Sequence, residues 1–213
     1  MKYVVEVSNV DKSYGKTKVL NNINLKLLSG KIYGIIGRNG SGKSVLMKCI
    51  CGFVHPDVGE IHVYGRKVGK DVEFAQDVGF IIESPGFLPQ YSAYKNLAYF
   101  YSIKNKIDKD TIEKYIRLVG LDPHDKKKVG KFSMGMKQRL GIAQAIMESP
   151  SLIIVDEPFN GLDISGVQEM RNLFLEMKKE GKTIILVSHN RDDINILCDE
   201  VYEMDQGVLK QMY

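Results

Sequence analysis

The stretch Gly37-Arg38-Asn39-Gly40-Ser41-Gly42-Lys43-Ser44 constrains this chain more than any other. It fits the phosphate-loop template G-x-x-x-x-G-K-[S/T] without a gap. An apolar run, Ile32-Tyr33-Gly34-Ile35-Ile36, leads into it, and a helical pattern, Val45-Leu46-Met47 through Ile50, leaves it. Strand, glycine-rich loop and helix are the context the motif requires. Glycine lets the backbone turn its N–H groups toward phosphate oxygens at close range. The start of the helix adds unpaired donors and a partial positive charge. Lys43 is long enough to reach terminal phosphates, and the Ser44 hydroxyl is a hard oxygen suited to Mg²⁺. The stretch therefore predicts a nucleoside triphosphate site on an α/β scaffold, with the backbone at Gly37, Asn39, Gly40, Ser41 and Gly42 wrapping the phosphates.

At 213 residues the chain can bury one sizeable core. Thirty Lys and Arg against 26 Asp and Glu leave a net charge of +4, too mild a surplus to indicate nucleic acid as a partner. The basic run Lys126-Lys127-Lys128 reads as a solvated face. No window approaches the roughly 18 apolar residues of a membrane span. Met1-Lys2 leads straight into the alternating Tyr3-Val4-Val5-Glu6-Val7, with no leader pattern, so a soluble cytoplasmic chain is expected. Cys49, Cys51 and Cys198 are too few and too irregular for a disulfide framework and read as buried thiols. His55, His62 and His124 show no ligand spacing.

Along the chain, Tyr3–Val7 and Ile23–Leu27 alternate as strands, with a turn at Ser13-Tyr14-Gly15. Strands are also expected at Gly59–Gly65 and Val78–Ile82. Character changes at Glu83, where Glu83-Ser84-Pro85-Gly86-Phe87-Leu88-Pro89 is loop. Helices over Ala93–Ile103 and Asp110–Val119 follow, in what looks like an insertion. From residue 132 helix and strand alternate again. Ser133 is a candidate N-cap for a helix through Glu148, followed by a strand at Ser151–Val155, a helix at Ile164–Glu180, a strand at Thr183–Val187, a short helix at Asp192–Leu197 and a closing hairpin. The expected fold is a mostly parallel sheet covered by helices, with an antiparallel N-terminal piece and a helical insertion. In domain terms this gives 1–83 and 139–213 as a core with its β subdomain, and 84–138 as a helical subdomain.

The apolar strand Leu152–Val155 runs directly into Asp156-Glu157-Pro158. A buried parallel strand is a costly place to end in acids unless they have partners. The carboxyl edge of such a sheet is also where ligands bind. Asp156 is the candidate to hold Mg²⁺ through its water shell, and Glu157 the candidate general base for an attacking water.

Three further features complete a pattern: Phe132-Ser133-Met134-Gly135-Met136-Lys137-Gln138-Arg139 at the start of a helix, Asn160-Gly161-Leu162-Asp163, and Ser188-His189. With these the chain resembles, over essentially its whole length, the nucleotide-binding subunit of ATP-binding cassette (ABC) transporters. The resemblance implies a P-loop, RecA-like core. It implies that Tyr14 stacks on adenine and that Ser133, Met134, Gly135 and Met136 form a signature acting in trans on the ATP of an opposing chain. By the same resemblance Gly161 and Asp163 form a dimer-contact loop, and His189 is a switch histidine at the γ-phosphate. It further implies two cassettes, identical or related, closing head to tail on ATP and Mg²⁺, and a separate transmembrane permease. The chain would then sit on the inner face of the cell membrane through that permease.

Two positions depart from the family pattern. Glu83 stands where the family commonly has a glutamine that contacts Mg²⁺ and water; a carboxylate is also a hard Mg²⁺ ligand. Met134 and Met136 replace the usual glycine and glutamine of the signature, while Ser133 and Gly135 are kept. Glutamate at this loop, with Pro-Gly shortly after, resembles the branch that exports bacitracin and lantibiotic-type peptides. The alternative within the family is a soluble ATPase acting on ribosomes or DNA. Such proteins usually carry two cassettes or a long coiled-coil insertion, and this chain shows one cassette and no heptad run.

Overall fold

The inner strands of the central sheet are built from residues that alternate between two apolar layers. The computed structural model describes residues 3–213; Met1 and Lys2, read above as the run into the first strand, lie outside the described residues. In chain order the strands are β1 (Tyr3–Tyr14), β2 (Thr17–Leu28), β3 (Ile32–Ile36), β4 (Val58–Val63), β5 (Arg66–Lys67), β6 (Val78–Ile81), β7 (Leu152–Asp156), β8 (Thr183–Val187), β9 (Glu200–Asp205) and β10 (Val208–Gln211). The helices are α1 (Lys43–Cys51), α2 (Ala93–Tyr101), α3 (Lys109–Leu118), α4 (Met134–Ile146), α5 (Ile164–Lys179) and α6 (Arg191–Leu197).

The larger sheet has the order β10-β9-β3-β8-β7-β6. All its pairings are parallel except that of β10 with β9. On β7 and β8, Ile153, Val155, Ile184 and Leu186 point into one apolar layer, together with the helices of the insertion and α4 to α6. Leu152, Ile154, Ile185 and Val187 point into the other, against α1 and the second sheet. All eight are fully buried, each worth about 1.5–3 kcal/mol of transfer free energy. Burial on both faces explains why these strands read as unbroken apolar runs.

The second sheet is antiparallel, in the order β2-β1-β4-β5. Its hairpin is much longer than the alternation of Tyr3–Val7 and Ile23–Leu27 suggested. Register shifts fall between Val7 and Val10 and beyond. Asn9 and Asn22 take left-handed φ of 50° and 52° there. The side chains of Asn24 and Asp11 accept from the Asn9 and Asn22 amides at 3.0 and 2.7 Å. Bulges of this kind preserve the ladder while breaking the period-two pattern.

The helical insertion has no core of its own. Leu97, Ile112 and Ile116 join the same layer as Ile32, Ile153 and Ile184. Helix α4 runs unbroken through 138–139, the expected join of the helical subdomain to the core. Arg139, in that helix, donates to the Val119 carbonyl at 2.7 Å and to Glu169 at 2.8 Å, tying α4 to the end of α3 and to α5. A tight apolar contact lies between Gly141 and Pro85, where an added Cβ would come 2.7 Å from the proline ring.

Candidate active site

The loop between β3 and α1 turns through positive φ at Gly37, Gly40 and Gly42. Lys43 is only 8% exposed, and its ammonium donates to the carbonyls of Gly37 and Arg38 at 2.8 and 2.9 Å, arching back over the loop. Burial pushes its pKa below the usual lysine range, with Asp156 and Glu157 opposing the shift. Ser41 is buried, and its hydroxyl has no partner. An orphaned hydroxyl at this depth costs stability unless a ligand satisfies it, so its place in the loop suits a phosphate.

Gly37 plays a part the motif alone did not indicate. Its φ is 146°, and an added Cβ would come 2.1 Å from the carbonyl oxygen of Met204 on β9. The missing side chain lets the loop pack closely against the sheet. Gly40, in contrast, has nothing within 4 Å of the corresponding position.

Asp156 ends β7, and its Oδ2 accepts from the Ser44 hydroxyl at 2.9 Å. Neighbouring ligands on a Mg²⁺ octahedron stand about 2.9 Å apart. The spacing and the hard-oxygen chemistry of this pair therefore fit the cation. Among the described residues no cluster of three or more His, Cys, Asp or Glu forms a metal cage. Mg²⁺ with a nucleotide needs none, because one or two protein oxygens and the phosphates suffice.

Glu157 follows with a left-handed φ of 49°, a conformation that persists in a non-glycine residue only when the surroundings enforce it. Here its amide donates to the Val187 carbonyl at 2.8 Å, and its carbonyl accepts from Gln138 Nε2 at 3.2 Å. Its Oε1 lies 3.0 Å from the His189 amide nitrogen and 2.7 Å from His189 Nδ1. His189 is held in turn by a buried network. The Ser188 hydroxyl donates to Asp193 at 3.2 Å, Arg171 Nε donates to the same carboxylate at 2.9 Å, and the Asn190 amide donates to the Ser188 hydroxyl at 3.1 Å. His189 thus touches the candidate base directly.

Lys43, Ser44, Asp156 and Glu157 line one wall of a cleft of about 750 Å³. Glu83 and Met134 border the same cleft, as do Val19, Lys137, Gln138 and Asn160, which the motif reading did not single out. Tyr14 is not among the lining residues. It sits half-exposed at the hairpin tip with the Lys12 ammonium 5.5 Å from its ring centroid, while Val19 of the same hairpin reaches the cleft wall. His189 and Arg38 line a neighbouring cavity.

A family profile described as ABC transporter matches residues 20–160. The chain belongs to the ABC transporter family. It is 44% identical over 207 residues to an uncharacterized ABC transporter ATP-binding protein, YybJ of Bacillus subtilis, covering 97% of this chain and 95% of that one. It is 40% identical to the bacitracin transport ATP-binding protein BcrA of Enterococcus faecalis, over 98% of this chain and 68% of that protein. It is 39% identical to the lantibiotic transport ATP-binding protein SrtF of Streptococcus pyogenes, over 99% and 91%. The fold matches the ATP-binding subunit of an ABC transporter with a TM-score of 0.87 at 25% identity, covering 98% of this chain and 90% of that one. It also matches a dimeric post-hydrolysis ATP-binding cassette bound to ADP and Pi, with a TM-score of 0.86 at 22% identity, over 98% and 99%. The expected fold of core, antiparallel sheet and helical insertion is the observed one.

As an ABC ATP-binding chain, the protein binds and hydrolyses ATP, and its described helices include none long and apolar enough to cross a membrane. Other cassette motifs fall where they contact each other. The Ser133 hydroxyl caps α4, accepting from the Met136 amide at 3.2 Å. A Cβ on Gly135 would come 2.5 Å from the Gly161 carbonyl, and Met134 lies over Gly161. Asp163 caps α5, accepting from the Gly166 amide at 2.9 Å and the Ser165 hydroxyl at 3.2 Å, which hold its carboxyl below the usual range. Met134 and Gly135 at the start of α4 are therefore packed on Gly161 within the chain. Glu83 has a left-handed φ of 64° and pairs with Lys48 Nζ at 2.6 Å.

Proposed function

We propose that this chain powers an exporter of peptide antibiotics or similar amphiphiles, acting through a separate membrane permease from the inner face of the cell membrane. Two cassettes, identical or related, close on ATP held by Gly37–Ser44. Bacitracin and lantibiotic transport proteins among the relatives support the substrate class. The dimeric cassette of the same fold supports the pairing.

One observation carries the hydrolytic part: Glu157 beside the phosphate loop with His189 Nδ1 at 2.7 Å. Glu157 takes the proton of the attacking water, and His189 fixes the carboxylate and meets the γ-phosphate as the site closes. Lys43 neutralises phosphate charge. Ser44 and Asp156, together with Glu83, would hold Mg²⁺, which would supply positive charge to the terminal phosphates. Ser133 and Gly135, at the start of α4, offer backbone donors to the γ-phosphate of the opposing chain. Adenine stacks on Tyr14.

Glu157→Gln tests this reading. The variant should bind ATP, lose about 10²–10⁴-fold in hydrolysis, and accumulate as an ATP-bound dimer by size exclusion. Hydrolysis at the wild-type rate would refute Glu157 as the base. For the substrate, the chain purified with its permease in lipid vesicles should hydrolyse ATP faster when bacitracin or a lantibiotic is added. No stimulation by either would refute the peptide assignment.

A further inference from the structure

We propose that Lys48 is a positioning residue for the metal site: it parks the Glu83 carboxylate one helical turn away from Ser44, so that Glu83 reaches the cation only by releasing Lys48. The proposal rests on the reading of Glu83 as a metal ligand given above.

The geometry is set by α1. Ser44 and Lys48 are four residues apart on this helix, so they share one face about one 5.4 Å turn apart. Ser44 holds Asp156 at 2.9 Å, and Lys48 holds Glu83 at 2.6 Å. One face of one helix thus presents two acidic side chains from distant parts of the chain, side by side along its axis. Both open onto the same cleft through Ser44, Asp156 and Glu83. The left-handed backbone at Glu83, with φ of 64°, sets the direction in which its side chain leaves the loop.

The pair is weak enough to exchange. Side-chain exposures are 33% for Lys48 and 63% for Glu83, and exposed ion pairs contribute little. It also has a reason to exist. Without a cation, the like charge of Asp156 and Glu157 opposes a carboxylate at the metal position. Lys48 gives Glu83 a partner when no cation is there. A glutamine at this position, being uncharged, would form no ion pair with Lys48, so the device belongs to a chain with an acid here.

Mn²⁺ serves as the probe, titrated against the purified chain with a non-hydrolysable ATP analogue and followed by electron paramagnetic resonance. Glu83→Ala should raise the Mn²⁺ midpoint, and Glu83→Gln, which keeps an oxygen but loses the charge, should raise it less. Lys48→Met should lower it about two- to fivefold, the range of a released exposed pair. Lys48→Arg should restore the wild-type value, and Lys48→Met should have no effect in the Glu83→Gln background. An equal shift from Lys48→Met in both backgrounds would mean the lysine acts only as a distant charge and would overturn the proposal. A raised midpoint in Glu83→Gln with no shift in Lys48→Met would also overturn it, while leaving Glu83 as a ligand. No change in Glu83→Ala, which removes the ligating oxygen, would overturn the ligand reading itself.

Discussion

Replacing Gly37 by alanine should damage the fold more than replacing Gly40, although both glycines belong to one motif. At Gly37 an added Cβ would meet the Met204 carbonyl oxygen at 2.1 Å, with the Ser41 hydroxyl oxygen at 3.0 Å. Relief requires the loop and β9 to part by about 1 Å. They are not free to do so, because β9 pairs with β3 through Ile36 opposite Glu203, one residue before Gly37. Overpacking of this kind costs about 1–3 kcal/mol, and a side chain at such a φ adds about 1–2 kcal/mol. The sum, about 2–5 kcal/mol, lowers the Tm of a chain this size by about 4–20 °C. At Gly40 only the conformational cost applies, about 1 kcal/mol or about 2–4 °C. Thermal unfolding followed by circular dichroism without nucleotide measures the first difference. Titration with ATP analogue measures the second, since Gly40→Ala should weaken nucleotide binding in a chain that still melts near the wild type. Equal losses of Tm in the two variants would refute the packing role of Gly37.

Asp193→Ala should destabilise the chain by about 3 kcal/mol by leaving Arg171 buried without its partner. It should also slow hydrolysis by releasing the turn that carries His189; an unchanged urea midpoint together with unchanged turnover would count against the network. Lys43→Ala should abolish ATP binding at micromolar nucleotide in equilibrium dialysis, and retained binding would refute the loop assignment. Burial pushes the Cys49 thiol up to about 11 and that of Cys51 to about 12, from 9.0. A raised folded pKa gives stability that is complete below the unfolded value and is lost as pH rises through the folded one. Between pH 8 and 10 the wild type should lose about 2–3 kcal/mol that a Cys49→Ala, Cys51→Ala variant keeps. Parallel urea-unfolding curves for the two chains across that range would refute this.

What the sequence revealed followed from how strongly each segment is buried and how locally it is determined. Thr183–Val187 is strand over the same five residues as expected, because a strand buried on both faces has a continuous apolar run with clear ends. Ser133 and Gly181 ended their helices as read, being local signals. β5 escaped notice because Arg66 and Lys67 are strand only through pairing with Val63 and His62. At the site, the Ser44–Asp156 contact was foreseeable from two motifs. The contacts of Glu83 with Lys48, Gln138 with the Glu157 carbonyl, and Gly37 with Met204 join residues whose proximity no local pattern encodes. Tyr14 matches the family by its place in the chain and stands at the tip of the hairpin whose Val19 lines the cleft.

Helix α4 carries a mechanical consequence. Its 13 residues make a rod about 20 Å long, with the signature at one end, Gln138 on Glu157 along its length and Gly141 against Pro85 beyond. A tilt of about 10° about the far end moves the Ser133 end by about 3 Å, more than the usable range of a hydrogen bond. If Ser133 meets a partner's phosphate as proposed, the angular tolerance of that contact is only a few degrees. The close contact of Gly141 with Pro85 ties the orientation of this rod to the loop that also carries Glu83.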